Sequence, residues 1–549
     1  MTTFSPFDIL LGYRLGSRQA TVELQRTDVP GIHVDFKVLK LLDDLQSSTN
    51  QPRSVILTGT AEDGKTYLAY KIIEALKLNK EFVQEAQKKG GYSDGGVFID
   101  LDLSAGRIDE TRLRQLHQSL ENPERLSLIC VNEGKLTDLE EKLGIIGLNI
   151  PPSVLRINLS QRSLVCELAW KKILHGVLDA EFWQNESNSL LDLNRDWLRN
   201  GIVAENLRKY LLLPYLLGEP ITIREMLSFL TYIIGGGLNE EQARGLPPED
   251  RVKFLLFNTI FSEPEGYIHG GRAVPNEKLL WWLYRFDPAD QASPKTDLSL
   301  LVGLDKLEDQ PPVELLEMWQ RDLVVKDNEK SDVEYRDRLD RFMRYARRWY
   351  TLVSPEGFNA YFPFRYFTDY LNALSSSTKE LSNQVDSLIG GLNRLLSNNQ
   401  VVSNDELKLF YLIADGNRQR FSIFLDRTND LICENFELIT DLAIEDTNQS
   451  NGYLERLPRR LYLRYAPQPD IRLPISLLLY ETLKSASSPS GTFATTLWVK
   501  ERDTVLRFMG ALSKAITISG PRADYKVLQN GDAEIDLTYQ IIKKQIVVR

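Results

Sequence analysis

The run Gly59-Thr60-Ala61-Glu62-Asp63-Gly64-Lys65-Thr66 constrains this chain more than any other stretch. It has the form GxxxxGKT, and its surroundings give that form a meaning. Ser54-Val55-Ile56-Leu57-Thr58 is a short β-branched and apolar run that reads as a buried parallel strand. After the motif, Leu68, Ala69, Ile72, Ile73 and Leu76 recur at helical spacing. A strand that ends on Gly59 and a helix that follows Lys65 form the context of a phosphate-binding loop, or P-loop. Gly59 and Gly64 let the backbone wrap tightly, so that its N–H groups and the N-terminus of the helix point at anionic phosphates. In this reading Thr60, Ala61, Glu62 and Asp63 complete the cradle around ATP. Lys65 reaches the β and γ phosphates, and the Thr66 hydroxyl ligates Mg2+. Because Glu62 and Asp63 bring two carboxylates to a site for anions, both side chains are expected to face solvent.

Two further apolar runs, Val97-Phe98-Ile99-Asp100-Leu101-Asp102-Leu103 and Leu126-Ser127-Leu128-Ile129-Cys130-Val131-Asn132-Glu133-Gly134, suit a parallel α/β sheet and end in polar residues. Ligands of such sheets collect at the carboxyl ends of the strands. Asp100 is the first choice to hold magnesium and Asp102 the second, since strand alternation puts both on one face. Neither is followed by the glutamate that usually polarises water, which makes Glu133 the candidate base. Asn132 can reach the attacking water or the γ phosphate. An ordinary polar strand end competes with each of these roles.

A third run, Val154 to Arg162, reads as the last strand of the core and leaves Arg162 near the active edge, where it could read a phosphate of the same or a neighbouring subunit. In Pro220-Ile221-Thr222-Ile223-Arg224-Glu225-Met226-Leu227-Ser228-Phe229-Leu230 an arginine opens an amphipathic helix. This resembles the sensor-2 element of AAA+ ATPases, which implies that Arg224 contacts the γ phosphate and couples it to the position of a lid. A surface salt bridge is the competing account of Arg224.

At 549 residues the chain is too long for one ordinary core, so roughly two to four domains are expected. The patterns divide it into a P-loop core with an N-terminal extension over residues 1–165, a helical lid over 166–325, and a mixed helical and β assembly region over 326–549. A net charge of -10 argues against nonspecific nucleic-acid binding over the whole surface, though it leaves a local basic channel open. Cys130, Cys166 and Cys433 form no CxxC pair, and His33, His117, His175 and His269 stand singly. Neither a disulfide framework nor a zinc ribbon is encoded, and a histidine-rich metal centre is not expected. The first residues lack a basic leader, and no apolar run approaches the roughly 18 residues that span a bilayer, so a cytoplasmic protein is expected.

Leu168–Leu178 and Leu207–Leu217 carry helical patterns, with Gly235-Gly236-Gly237 as punctuation. Tyr335 to Tyr350 reads as a helix with Arg341, Arg344 and Arg348 on one face, open to a nucleic-acid backbone, an acidic partner, or ion pairs with Asp337 and Asp340. Ser375-Ser376-Ser377 and Asn398-Asn399-Gln400 read as loops. Beyond Arg420, Ser422–Leu425, Arg460–Tyr465 and Ile541–Val548 bring strands back, with no nuclease-like cluster among them.

Taken in order, Gly59–Thr66, Val131-Asn132-Glu133-Gly134-Lys135-Leu136, Ile223–Leu230, Phe286-Asp287-Pro288-Ala289-Asp290 and Gly390-Gly391-Leu392-Asn393-Arg394-Leu395 resemble the DptF family of DNA phosphorothioation-dependent restriction proteins. The resemblance implies the ATPase subunit of a bacterial antiphage complex that acts on DNA lacking a sulfur-modified backbone. It also implies DptG-like and DptH-like partners; a possible homo-oligomer is a separate expectation. A regulatory NTPase switch and a structural nucleotide clamp without turnover are the alternatives that the residues leave open.

Overall fold

A computed structural model describes residues 5–14, 32–46, 54–77, 92–94, 97–103, 109–122, 124–185, 189–264, 277–324, 332–376, 378–397, 404–414, 420–425, 431–442, 452–488, 499–515, 522–529, 534–542 and 545–548. His269, Ser377 and the 398–400 cluster lie outside them. The chain forms two compact units. The first is Met1–Tyr215 with Glu219–Pro363 and Thr447–Leu457, and the second is Leu216–Gly218 with Phe364–Asp446 and Pro458–Arg549.

The first unit is α/β. Its sheet runs β2-β3-β4-β1-β5, where β1 is Ser54–Thr58, β2 Tyr92–Asp94, β3 Val97–Asp100, β4 Leu126–Cys130 and β5 Leu155–Asn158. β3, β4, β1 and β5 are mutually parallel, and β2 pairs antiparallel on the β3 edge. Every residue of β1 is buried, as expected of a strand covered on both faces.

Alternation along the strands separates two layers. On one face Ile56, Phe98 and Ile129 pack against Leu113, Leu116 and Leu120 of α2 (Glu110–Glu121) and against Leu136, Leu139 and Leu143 of α3 (Glu133–Ile145). α1 (Lys65–Ala75) buries Leu68, Ala69, Ile72 and Ile73, and its first carbonyl lies 3.8 Å from the Cys130 Sγ, which belongs to the opposite set of strand positions. Helices leaving the carboxyl ends of β1 and β4 for opposite faces open a crevice between those two strands, the place where open α/β sheets receive ligands.

The remaining helices of this unit include α4 (Glu167–Leu178), α5 (Gly201–Leu216), α6 (Ile223–Gly235) and α7 (Asp332–Val353). α6 begins with Thr222 as N-cap in a reciprocal capping box with Glu225, and it ends at Gly236 in the left-handed region (φ 64°). The Arg face expected on α7 is divided by packing. Arg341 is exposed, but Arg348 is buried: its guanidinium donates to both Asp287 carboxylate oxygens at 2.9 and 2.6 Å and to Glu263 at 2.7 Å. Arg344 stands 3.6 Å from Glu263. Arg348 is therefore unavailable to nucleic acid, and Asp287, in the Phe286–Asp290 motif, is its counterion.

In the second unit α8 (Thr378–Leu396) packs on α9 (Leu477–Ser487). A Cβ at Gly391 would come within 2.3 Å of the Leu483 carbonyl oxygen, so the two backbones meet where only glycine fits. Asn393 spans the next segment, donating to the Glu406 carbonyl and accepting from the Lys408 N–H. Two antiparallel sheets complete the unit. One has the order β10-β9-β8, with β8 Phe436–Thr440, β9 Leu461–Tyr465 and β10 Arg472–Ile475. The other has the order β13-β12-β11-β7-β6, with β6 Phe410–Ala414, β7 Arg420–Leu425, β11 Arg522–Gln529, β12 Glu534–Ile542 and β13 Gln545–Val548. No helix among the described residues is long and apolar enough to cross a membrane.

Candidate functional site

The strand register brings the candidate residues to one edge. Leu57 pairs with Cys130, Thr58 with Asn158, and Asp100 with Ile129, so the segments after β1, β3, β4 and β5 all emerge together. Two of these segments are tied directly: the Glu133 N–H donates to the Gly59 carbonyl at 3.3 Å.

Three residues of the 59–64 loop have positive φ: Gly59 at 144°, Glu62 at 77° and Gly64 at 85°. A Cβ on Gly59 would stand 2.7 Å from Asp63 Oδ2 and 3.2 Å from the Ser160 nitrogen, so both the conformation and the space demand glycine. Asp63 does not face solvent as expected. It is 4% exposed, and its Oδ2 accepts from the Thr60 N–H at 2.6 Å and the Thr60 hydroxyl at 2.8 Å, which closes the loop on itself. The physical reason is local: a buried carboxylate needs donors, and the bare Gly59 leaves room for it to reach them. Glu62 does lie on the outside, where Arg224 Nη1 donates to its Oε1 at 2.9 Å. Ala61 and Thr66 are exposed.

Lys65 begins α1 and folds its ammonium back over the loop, donating to the Gly59 carbonyl at 3.2 Å and the Thr60 carbonyl at 2.5 Å. Burial lowers its pKa, with Asp63, Cys130 and Asp102 opposing the shift. Burial pushes the Cys130 thiol up to about 12, against the pull of Lys65, so it is a neutral packing group at the end of β4.

The two aspartates differ in setting. Asp100 is buried; Oδ2 accepts from Arg112 Nη2 at 2.7 Å and Oδ1 from the Asp102 N–H at 3.2 Å. Burial raises its pKa, and Arg112 opposes that rise. Asp102 is exposed and close enough to Lys65 to act on its charge. Asn132 is the N-cap residue of α3 and is half-buried. Glu133 is exposed, and its Oε1 accepts from Asn158 Nδ2 at 3.1 Å.

Arg162 does not lie open at the edge. The short turn Leu159–Gln161 carries it inward, where it is buried, stacks 4.1 Å over the Phe36 ring, and donates from Nη2 to the Asp63 carbonyl at 3.1 Å. It supports the loop from within. Burial lowers its pKa to about 10, with Glu455 and Asp63 opposing the shift.

The structure thus brings Gly59–Thr66, Asp100, Asp102, Asn132, Glu133, Arg162 and Arg224 into one region of the first unit. It adds Arg112, Asn158 and Glu455, for which no motif or periodicity gave a signal. Among the described residues no group of three or more His, Cys, Asp or Glu forms a metal cluster.

The fold and this edge define an α/β protein with a four-strand parallel sheet and a doubly glycine-hinged loop at its carboxyl end. No family model, no curated protein and no solved structure matches the chain.

Proposed function

We propose that residues 59–66 are a P-loop and that this protein binds and hydrolyses ATP. The observation that carries the reading is the pair of left-handed glycines at the end of β1, followed at once by a lysine whose ammonium lies over the loop it caps. An anion at the loop would meet the N-terminus of α1 and the Lys65 ammonium, beside a Thr60 N–H that already donates to Asp63.

Magnesium fits the same residues. Thr66 is exposed on the first turn of α1, and Asp100 and Asp102 stand at the end of β3. Thr66 with Asp100 or Asp102 would hold the ion, which supplies charge neutralisation on the β and γ phosphates. Asp100 would orient the 100–102 turn through the Asp102 N–H. Asn132 or Glu133 would position the attacking water, and Arg224 would contact the γ phosphate.

On the DptF resemblance, we assign this ATPase to a bacterial antiphage restriction complex acting on DNA without phosphorothioate modification, alongside DptG-like and DptH-like proteins. Its turnover would drive conformational change. The test is phosphate release by wild type and Lys65→Ala, with and without unmodified duplex DNA and the partner proteins. Release that is stimulated by DNA or partners and disappears in the variant supports the assignment; release unaffected by Lys65→Ala rejects it.

One observation favours a second reading, a nucleotide clamp or switch without rapid turnover. Glu133 is engaged by Asn158, and Asp100 by Arg112. ATP retained for hours without phosphate release would support it.

A further inference from the structure

Asp100 ends β3 with 1% of its surface exposed, and it already carries a cation: Arg112 Nη2 donates to its Oδ2 at 2.7 Å. Local structure sets the pair from both sides. Oδ1 accepts the Asp102 N–H at 3.2 Å, which orients the carboxylate. Arg112 stands in the first turn of α2, where the N-cap Asp109 accepts its backbone N–H at 2.8 Å, and its side chain is mostly covered.

Neighbouring carboxylates at this edge are engaged as well. Asp63 accepts from Thr60, Glu62 from Arg224 and Glu133 from Asn158. Magnesium gives up its water reluctantly and is usually held by one or two carboxylates together with substrate phosphates. An ion brought alone to Asp100 would meet the guanidinium on the same carboxylate, and two cations that close repel inside a protein. An ion brought with a polyphosphate carries its own anions, which offset that repulsion.

We propose that Arg112 is a positioning residue that acts on the metal through Asp100: it neutralises this carboxylate in the nucleotide-free protein, so that the site takes a divalent cation only as a metal–nucleotide complex. The inference rests on the P-loop reading of residues 59–66 and names the form in which the ligand of that loop enters. An arginine that only fastened α2 to the end of β3 would, when altered, lower stability and leave cation affinity where it was.

The experiment is titration of the full nucleotide-free chain with Mn2+, read by the electron paramagnetic resonance of the free ion. Arg112→Gln, which can still donate to Asp100 but lacks the charge, is expected to bind Mn2+ about tenfold or more tightly than wild type, the scale of one charge-assisted hydrogen bond. Arg112→Lys, which keeps a cation, should stay close to wild type, and adding Asp100→Asn to Arg112→Gln should remove the gain. Unchanged affinity in Arg112→Gln, or a gain that survives Asp100→Asn, overturns the proposal. So does a wild type that binds Mn2+ alone in the range of dedicated cation sites, about 10 µM or tighter, a measurement that needs no variant to fold. A wild type that binds no ATP analogue even with Mn2+ present would reject the nucleotide reading, while a gain in Arg112→Gln that Asp100→Asn removes would still uphold the hold of Arg112 on Asp100.

Discussion

Arg224 donates to Glu62 across 2.9 Å, so the first turn of α6 is ion-paired to the outer side of the loop that leaves β1. Both side chains are partly exposed, which limits the worth of the pair to about 1 kcal/mol or less. On the proposed nucleotide-binding function, an incoming polyphosphate would compete with Glu62 for Arg224 at little cost. Glu62→Gln is expected to tighten binding of a fluorescent ATP analogue by about two- to fivefold, and Arg224→Ala to weaken ATP more than ADP. Equal losses for the two nucleotides in equilibrium titrations would contradict a γ-phosphate contact.

Gly59→Ala places a Cβ against the Asp63 carboxylate at a φ of 144°. The strain falls on the loop and not on the core, so nucleotide affinity should drop about tenfold or more while the thermal midpoint moves by about 2 °C or less. Calorimetric titration and a thermal melt of the same sample check this. A large drop in the midpoint would mean that the loop is part of the unit's stability and not only of its site.

The acid limb of stability carries a signature of Asp100. Burial holds its carboxyl above the ordinary aspartate range even beside Arg112, so the folded chain keeps that proton to higher pH than the unfolded chain. Its contribution is full below the unfolded value and is lost as pH rises through the folded one. Asp100→Asn should therefore flatten the fall in stability from about pH 4 upward, as read by urea unfolding at a series of pH values. An unchanged slope would show that the group titrates alike in both states.

Arg348 tests whether the helical part of the first unit depends on its buried charges. It pairs with Asp287 and Glu263, and together they raise its pKa although burial alone would lower it. Arg348→Met removes the guanidinium from which both Asp287 oxygens accept, while Glu263 keeps Arg344 3.6 Å away, and should cost about 3–5 kcal/mol in chemical denaturation. Arg341→Ala, on the exposed part of the same helix, should stay within about 0.5 kcal/mol. Similar values for the two would remove the distinction drawn between them.

The loop region was legible because each of its signals is local. Ser54–Thr58 is apolar and β-branched over the length of one strand, and Leu68, Ala69, Ile72 and Ile73 repeat at helical spacing, so β1 and α1 follow from neighbouring residues. The start of α6 was legible for the same reason, since Pro220–Leu230 reads as the opening of an amphipathic helix; the capping box of Thr222 and Glu225 came from the structure. The fate of charged side chains was not legible in this way. Arg341, Arg344 and Arg348 share a helical face in the sequence, yet only Arg348 is buried opposite Asp287 and Glu263. Asp63 and Arg162 turned inward for a related reason: each found its partner inside the unit.

By itself the sequence determined the strand, the glycine hinges, the lysine and the helix that follows it, because periodicity and the conformational freedom of glycine act over a few residues. Only the tertiary structure decided which aspartate is exposed, and which arginine meets the loop from outside and which supports it from within. Those outcomes depend on burial and counterions brought together from distant parts of the chain, and the free energy of a charge is set by the partners it meets in the folded protein.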